Sequence, residues 1–192
     1  MNVLIIYAHP NEESFCSAIK EKLIDGLSIY KNNIRVHNLY KEEFNPLLTK
    51  EELIGYPNSL NENVEYKKYQ QDIIWANIIC IIHPVWWYGS PAIMKGYIEK
   101  VITEGFAFIF KDDQSIPKLI DKKLILVQTF DADEQMEKEL NEDITFKAMF
   151  NIWNYCGVKE YKRVSMHRVS FVSNEQRIKW LDEIYNLGKS IK

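Results

Sequence analysis

Ile78-Ile79-Cys80-Ile81-Ile82-His83-Pro84-Val85-Trp86-Trp87-Tyr88-Gly89-Ser90-Pro91-Ala92-Ile93-Met94 holds a strand, a loop and the start of a helix. Ile78–Ile82 is apolar on both faces, the pattern of a parallel strand covered on two sides. Pro91 suits a first helical turn, because its missing N–H would have no partner there. Ile93, Met94, Tyr97, Ile98, Val101 and Ile102 then recur at helical spacing.

The same grammar repeats outward from this unit. Val3–Ala8 is a continuous apolar strand, and Phe15–Leu27 turns helical with Phe15, Ala18, Ile19, Leu23 and Leu27 on one face. Ile34–Leu39 alternates as a short strand. Glu62–Ala76 reads as a polar helix anchored by Tyr66, Tyr69, Ile73 and Ile74. Leu124–Thr129 is another buried strand, Ile144–Tyr155 a helix, Glu160–Met166 a last strand and Asn174–Gly188 a closing helix. Such alternation predicts an α/β fold: a doubly wound, five-stranded parallel sheet in the order 2-1-3-4-5, with helices on both faces. Tyr40–Gln70 is expected to hold an irregular excursion at Glu43-Phe44-Asn45-Pro46. With no repeat, low-complexity tract or linker, residues 1–192 are expected to form one domain.

The chain has 192 residues, 46% hydrophobic and 27% charged, ordinary for a globular protein. A net charge of −3 gives no footprint for a nucleic-acid partner. Lys67-Lys68 and Lys122-Lys123 read as solvated faces. Cys16, Cys80 and Cys156 are odd in number and far apart, so a reducing compartment is expected and a disulfide framework is not. Cys80 lies in an apolar strand as a small hydrophobe. His9, His37, His83 and His167 show no i, i+4 pairing, so no metal site is expected. The N-terminal segment lacks the basic region and cleavage site of a signal peptide, and no apolar run reaches bilayer length. A cytoplasmic location is the expectation.

In a doubly wound sheet the ligand sits beyond the strand carboxyl ends, where strand order reverses. That point lies between the loops His9–Ser14 and His83–Ser90. The first leads into a helix N-terminus carrying Ser14, Cys16 and Ser17, where free N–H groups and the helix dipole favour a phosphate. Ser14 also reads as a plain N-cap. No glycine-rich cradle is present, and Glu12 and Glu13 would repel a phosphate unless they point away. The second loop carries Trp86, Trp87 and Tyr88 in succession. They are either core residues over the sheet end or surface aromatics awaiting a flat ligand.

Tyr7-Ala8-His9-Pro10 with Ser14-Phe15, Leu39-Tyr40 with Phe44-Asn45-Pro46, and Pro84 through Gly96 running on to Gly105-Phe106-Ala107-Phe108 resemble the NAD(P)H:quinone oxidoreductase family. These are flavodoxin-like enzymes related to DT-diaphorase and to the ancillary subunits of potassium efflux systems. The Pro-x-Trp-Trp block is the specific part of the match. The resemblance implies that His9, Ser14, Phe15 and Cys16 bind the phosphate and ribityl groups of a flavin. It implies that Pro84, Val85, Trp86, Trp87 and Tyr88 hold the isoalloxazine. Gln128, Thr129 and Phe130 occupy the place of a further flavin-contacting turn. Arg177 and Leu181 resemble the helix that touches the adenosine half of FAD. Phe108 and Phe110 match positions that cover the acceptor pocket from a partner subunit, so a homodimer is implied.

FAD is the implied cofactor, with FMN as the alternative, and NAD(P)H the co-substrate. The expected activity is hydride transfer through the flavin to a quinone-like acceptor, by ping-pong turnover, without covalent attachment. The alternative is a regulatory flavin-binding subunit of a partner such as an ion-efflux system. Two departures stand out. Gln128-Thr129-Phe130-Asp131 replaces the family's Thr-Gly-Gly-type turn, and side chains at Phe130 and Asp131 are expected to crowd a path that glycine leaves open. Asp131–Thr145 also lacks the Tyr and His that relay a proton in some members.

Overall fold

The computed structural model describes residues 1–139 and 144–192. Its elements run β1 (Asn2–Tyr7), α1 (Phe15–Ser28), β2 (Asn33–Asn38), α2 (Lys50–Ile54), α3 (Asn58–Asn61), α4 (Val64–Trp75), β3 (Ile78–Pro84) and α5 (Ala92–Val101). They continue with β4 (Phe108–Lys111), β5 (Gln114–Pro117), β6 (Lys123–Thr129), α6 (Glu134–Glu139), α7 (Ile144–Tyr155), β7 (Glu160–Met166) and α8 (Asn174–Lys189). The main sheet has five parallel strands in the order β2-β1-β3-β6-β7. This is the expected 2-1-3-4-5 winding, with a hairpin inserted before the fourth strand of the sheet.

The period of two along the central strands makes two cores. Leu4, Ile6, Ile79, Ile81, Leu124 and Leu126 face α4, α5 and α7. Val3, Ile5, Tyr7, Cys80, Ile82 and Val127 face α1 and α8. Both sets are buried, which is why these segments read as unbroken apolar runs. On the second side α1 and α8 cross in backbone contact. A Cβ on Gly26 would come within 2.1 Å of Tyr185 O, and one on Gly188 within 2.6 Å of Leu23 O. The two glycines thus fix α8 against α1.

The parallel ladder continues past the strands. Ala8 N–H donates to Ile82 O (3.1 Å), Leu39 N–H to Tyr7 O (3.0 Å), Val85 N–H to Thr129 O (2.8 Å) and Phe130 N–H to Met166 O (2.8 Å). These bonds bring the loops after β1, β3, β6 and β7 to one level.

Several expectations are corrected. Ile74 is 61% exposed, so α4 is anchored by Tyr66, Tyr69 and Ile73 without it. Phe108–Pro117 is an antiparallel hairpin, turning at Asp112 and Asp113 with φ of 52° and 60°. The excursion after β2 contains α2 and α3, and α6 stands between β6 and α7. The excursion is tied down by Lys100 of α5, which is fully buried. Its Nζ donates to Asn45 O (3.2 Å) and Leu47 O (2.9 Å) and pairs with Glu52 Oε1 at 3.2 Å.

Candidate active site

The loop after β1 is folded on Asn11. Its carbonyl accepts from Ser14 N–H (3.2 Å), its Oδ1 accepts from Glu13 N–H (2.8 Å), and its own N–H donates to His9 Nδ1 (3.0 Å). His9 Nδ1 thus lies within hydrogen-bond reach of both the N–H and the carbonyl (3.2 Å) of Asn11, and burial draws the ring's pKa down. Ser14 caps α1 by accepting from Ser17 N–H (3.2 Å). Among the described residues nothing accepts from the N–H groups of Phe15 and Cys16, the orphan donors of a first helical turn. Glu12 is turned to the β2 side, where it accepts from Asn38 Nδ2 (2.8 Å) and pairs with Lys20 at 3.4 Å. The bond from Asn38 holds its carboxyl below the usual range. The feared repulsion of a phosphate is thereby directed elsewhere.

The loop after β3 makes a tight turn. Trp86 N–H donates to Gly89 O (3.0 Å) and Gly89 N–H to Trp86 O (3.1 Å), closing a two-residue turn. Its central residues, Trp87 and Tyr88, have φ of 50° and 60°. Such primed turns ordinarily carry Asn-Gly, because both central residues must be left-handed. Here two aromatics occupy them. Trp87 is 96% exposed and Tyr88 is 52% exposed, which rules out the reading of Trp87 as core. Trp86 meets His9 edge-on, with ring centroids 5.9 Å apart.

The end of β6 makes the opposite wall. Cys16 Sγ and Thr129 Oγ1 lie 3.1 Å apart, joining α1 to β6, and burial pushes the thiol up to about 11. The Phe130 ring packs inward yet, like Asp131, still lines the cleft. It is buried and stacks on His167 at 4.5 Å with an interplanar angle of 18°. Asp131 Oδ1 accepts from Ser170 Oγ (2.6 Å). Arg177 donates from Nε and Nη2 to Val169 O (3.1 and 2.9 Å) and from Nη1 to Asn174 Oδ1 (2.8 Å).

A cleft of about 330 Å³ opens between these walls. His9, Ser14, Phe15, Cys16, Pro84, Val85, Trp86, Thr129, Phe130 and Arg177 line it together, as do Asp131, Val169 and Ser170. A second pocket of about 220 Å³ adjoins it across Val85, Phe130 and Asp131 and is lined by Trp87, Tyr88, Ala132, Met136 and Thr145 as well. The remaining expected positions lie elsewhere. Gln128 is buried behind the wall, its Oε1 accepting from Arg163 Nε (3.1 Å). Leu181 packs against the core under α1. Phe108 and Phe110 sit in the hairpin, edge-on to one another at 5.7 Å, and line neither cavity. Val169, Ser170 and Met136 carry no recognisable sequence signal. They reach the site only because the loop after β7 and α6 fold back over the sheet end.

The family model described as flavodoxin-like fold matches residues 1–189. A Haemophilus influenzae protein named as an uncharacterized NAD(P)H oxidoreductase is 33% identical over 165 residues, covering 83% of this chain and 80% of that one. The Rattus norvegicus NAD(P)H dehydrogenase (quinone) 1 is 24% identical over 202 residues, 93% of this chain and 73% of the rat protein. A crystal structure from Streptococcus mutans covers 100% of both chains at a TM-score of 0.91 and 27% identity. Almost nothing of the sequence falls outside these matches, and the chain belongs to the flavodoxin-like fold family.

Proposed function

We propose that this protein is a flavin-dependent NAD(P)H oxidoreductase that reduces a quinone-like acceptor. The observation that carries the reading is the pairing of two cavities across one wall. One is walled by a helix N-terminus, with unused N–H donors at Phe15 and Cys16. The other has the indole of Trp87 and the ring of Tyr88 in its lining. The first suits the phosphate of a nucleotide and the second a flat apolar ring.

A bound flavin supplies the hydride chemistry, and the protein supplies position. Phe15 and Cys16 N–H, the Ser14 hydroxyl and the His9 ring would hold the phosphate end. Pro84, Val85 and Trp86 bound the ring end, where the bond from Val85 N–H to Thr129 O fixes the backbone. Trp87 and Tyr88 form one side of the acceptor pocket. NAD(P)H and acceptor use that one pocket in turn, which gives ping-pong kinetics.

FAD is the proposed form. Arg177, fixed by Val169 O and Asn174 at the edge of the cleft, is placed to meet a second phosphate or an adenine. The chain acts as one domain and as a homodimer. Phe110, which is 56% exposed, lies with Ile109 and Ile116 on a hairpin whose apolar surface a second copy would cover. The cytoplasm suits its buried, unpaired cysteines. No helix among the described residues is long and apolar enough to cross a membrane.

The test is the absorption spectrum of the purified protein. A flavin spectrum is expected, with the chromophore released by acid and identified as FAD by chromatography. Release of FMN would correct the assignment of Arg177. A chain that takes up neither flavin when both are supplied would overturn the proposal.

A further inference from the structure

Reduction of a quinone takes a hydride and one more proton, and the source of that proton decides whether the acceptor pocket is a passive slot. An acceptor that has received a hydride at one carbonyl oxygen is a hydroquinone monoanion, with its negative charge on the other oxygen. Among the described residues, the pocket beside the cleft offers few groups to meet it. Thr145 has an aliphatic hydroxyl, too weak an acid to yield a proton, and it accepts from Arg163 Nη2 at 3.1 Å. Asp131 presents an acceptor, with Oδ1 held by Ser170 Oγ. Residues 131–145 contain neither tyrosine nor histidine. The remaining group is Tyr88.

We infer that Tyr88 is a catalytic residue, the general acid that protonates the reduced acceptor. Its ring lines the pocket, and none of the hydrogen bonds among the described residues engages its hydroxyl. The turn holds it in place through the paired bonds between Trp86 and Gly89, at the cost of a left-handed φ of 60°. Half its surface meets solvent, so the proton it gives is replaced from water. A hydroquinone is itself a phenol, and a tyrosine O–H can donate to its anionic oxygen. In the step, the O–H bond of Tyr88 breaks and the proton goes to the acceptor's anionic oxygen, giving neutral hydroquinone and a tyrosinate. The tyrosinate then takes a proton from water, and no further electrons move.

This inference rests on the flavin–quinone reading, and its test separates the two. Tyr88→Phe keeps the ring and removes only the hydroxyl. Turnover is compared for a quinone, which needs the proton, and for ferricyanide, a one-electron acceptor that takes none. The ratio of quinone to ferricyanide turnover is expected to fall about 100-fold in the variant, the scale of a general acid. A fall of less than about 10-fold overturns the role, because water then serves as well. Wild-type protein that oxidises NAD(P)H with neither acceptor removes the underlying reading, and the inference with it. A second measurement needs no turnover. Binding of 4-nitrophenolate to the oxidised holoprotein is expected to weaken about 10-fold in Tyr88→Phe, one charge-assisted hydrogen bond being lost. 4-Nitrotoluene, which has the ring without the oxyanion, is expected to change less than about 2-fold. Equal losses for the two probes would make Tyr88 a shape-defining wall and overturn the proposal.

Discussion

Trp87 holds a left-handed φ of 50° while almost its whole side chain stands in water. Neither feature favours the folded state: the conformation costs roughly 1–2 kcal/mol for a residue with a Cβ, and the exposed indole gains nothing from a core. Residues kept in such conformations cluster at functional sites. Trp87→Gly is therefore expected to raise the urea stability by about 0.5–1 kcal/mol, since glycine adopts the turn without strain. Flavin affinity should fall about 10-fold in the same variant, the indole being part of the ring's surroundings. Parallel denaturation and flavin titrations check both arms, and lost stability with unchanged affinity would return Trp87 to a structural role. The sequence pointed to this loop through its run of aromatics. It could not disclose the turn type, because the Asn-Gly signal that marks a primed turn is missing.

His83 is a second residue whose burden lies in its surroundings. It is buried at the end of β3, with Nδ1–H donating to Pro84 O (2.8 Å), and burial pushes its pKa down to about 4. An unfolded chain binds a proton there near pH 6.5, and the folded chain refuses it until about pH 4. Stability is thus fully present above about pH 6.5 and drains away as pH falls through that window. Between pH 7 and about 4.5, wild type should lose roughly 2–3 kcal/mol more than His83→Gln in urea melts. Identical pH slopes would contradict the buried neutral imidazole.

At the scale of elements, the excursion from Asn45 to Asn61 is held by the bonds of Asn61 to Glu104 O and Thr103 and, nearer its start, by one buried cation. Lys100 neutralises Glu52, which also accepts from Tyr66 OH (2.8 Å) and Thr49 N–H (2.8 Å). Burial alone would raise the Glu52 carboxyl, but the bonds from Thr49, Tyr66 and Lys100 together hold it below the usual range. A depressed carboxylate contributes stability above its unfolded pKa and loses it as pH falls through the lower folded value. Hydrogen exchange should therefore show α2 and α3 loosening in acid. Lys100→Met, which leaves the carboxylate and two carbonyls without their partner, should cost about 3–5 kcal/mol and expose the same segment at neutral pH.

The central strands β1, β3 and β6 were legible because each carries an unbroken apolar run, β2 and β7 only through weaker patterns, and α1, α5 and α8 because their periodicity is strong. The hairpin β4–β5 was not, since Phe106 to Phe110 mixes buried and exposed positions around a turn of two aspartates with no glycine. α6 escaped for a related reason: Glu134–Glu139 has one apolar residue, Met136, and so no periodicity to read. Within the site, positions flanking β1 and β3 could be named from sequence. Val169 and Ser170 could not, because only tertiary folding carries the loop after β7 to the cleft.

On the scale of the whole molecule, one arrangement explains the two cavities. Parallel strands end at a common level, the order reverses between β1 and β3, and four loops meet there. The exposed apolar side of the hairpin is the molecule's other large-scale feature, and light scattering should give twice the 22.8 kDa chain mass at micromolar concentration. A monomer with full turnover would show that the acceptor pocket needs no second copy. The most direct test of the central claim follows the flavin absorbance of the purified holoprotein under anaerobic stopped flow. NAD(P)H alone should bleach that absorbance, and a quinone added afterwards should restore it, the two half-reactions proceeding separately. Flavin that stays oxidised in NAD(P)H, or bleaches and is then not restored by any quinone, would contradict an oxidoreductase built on this pair of clefts.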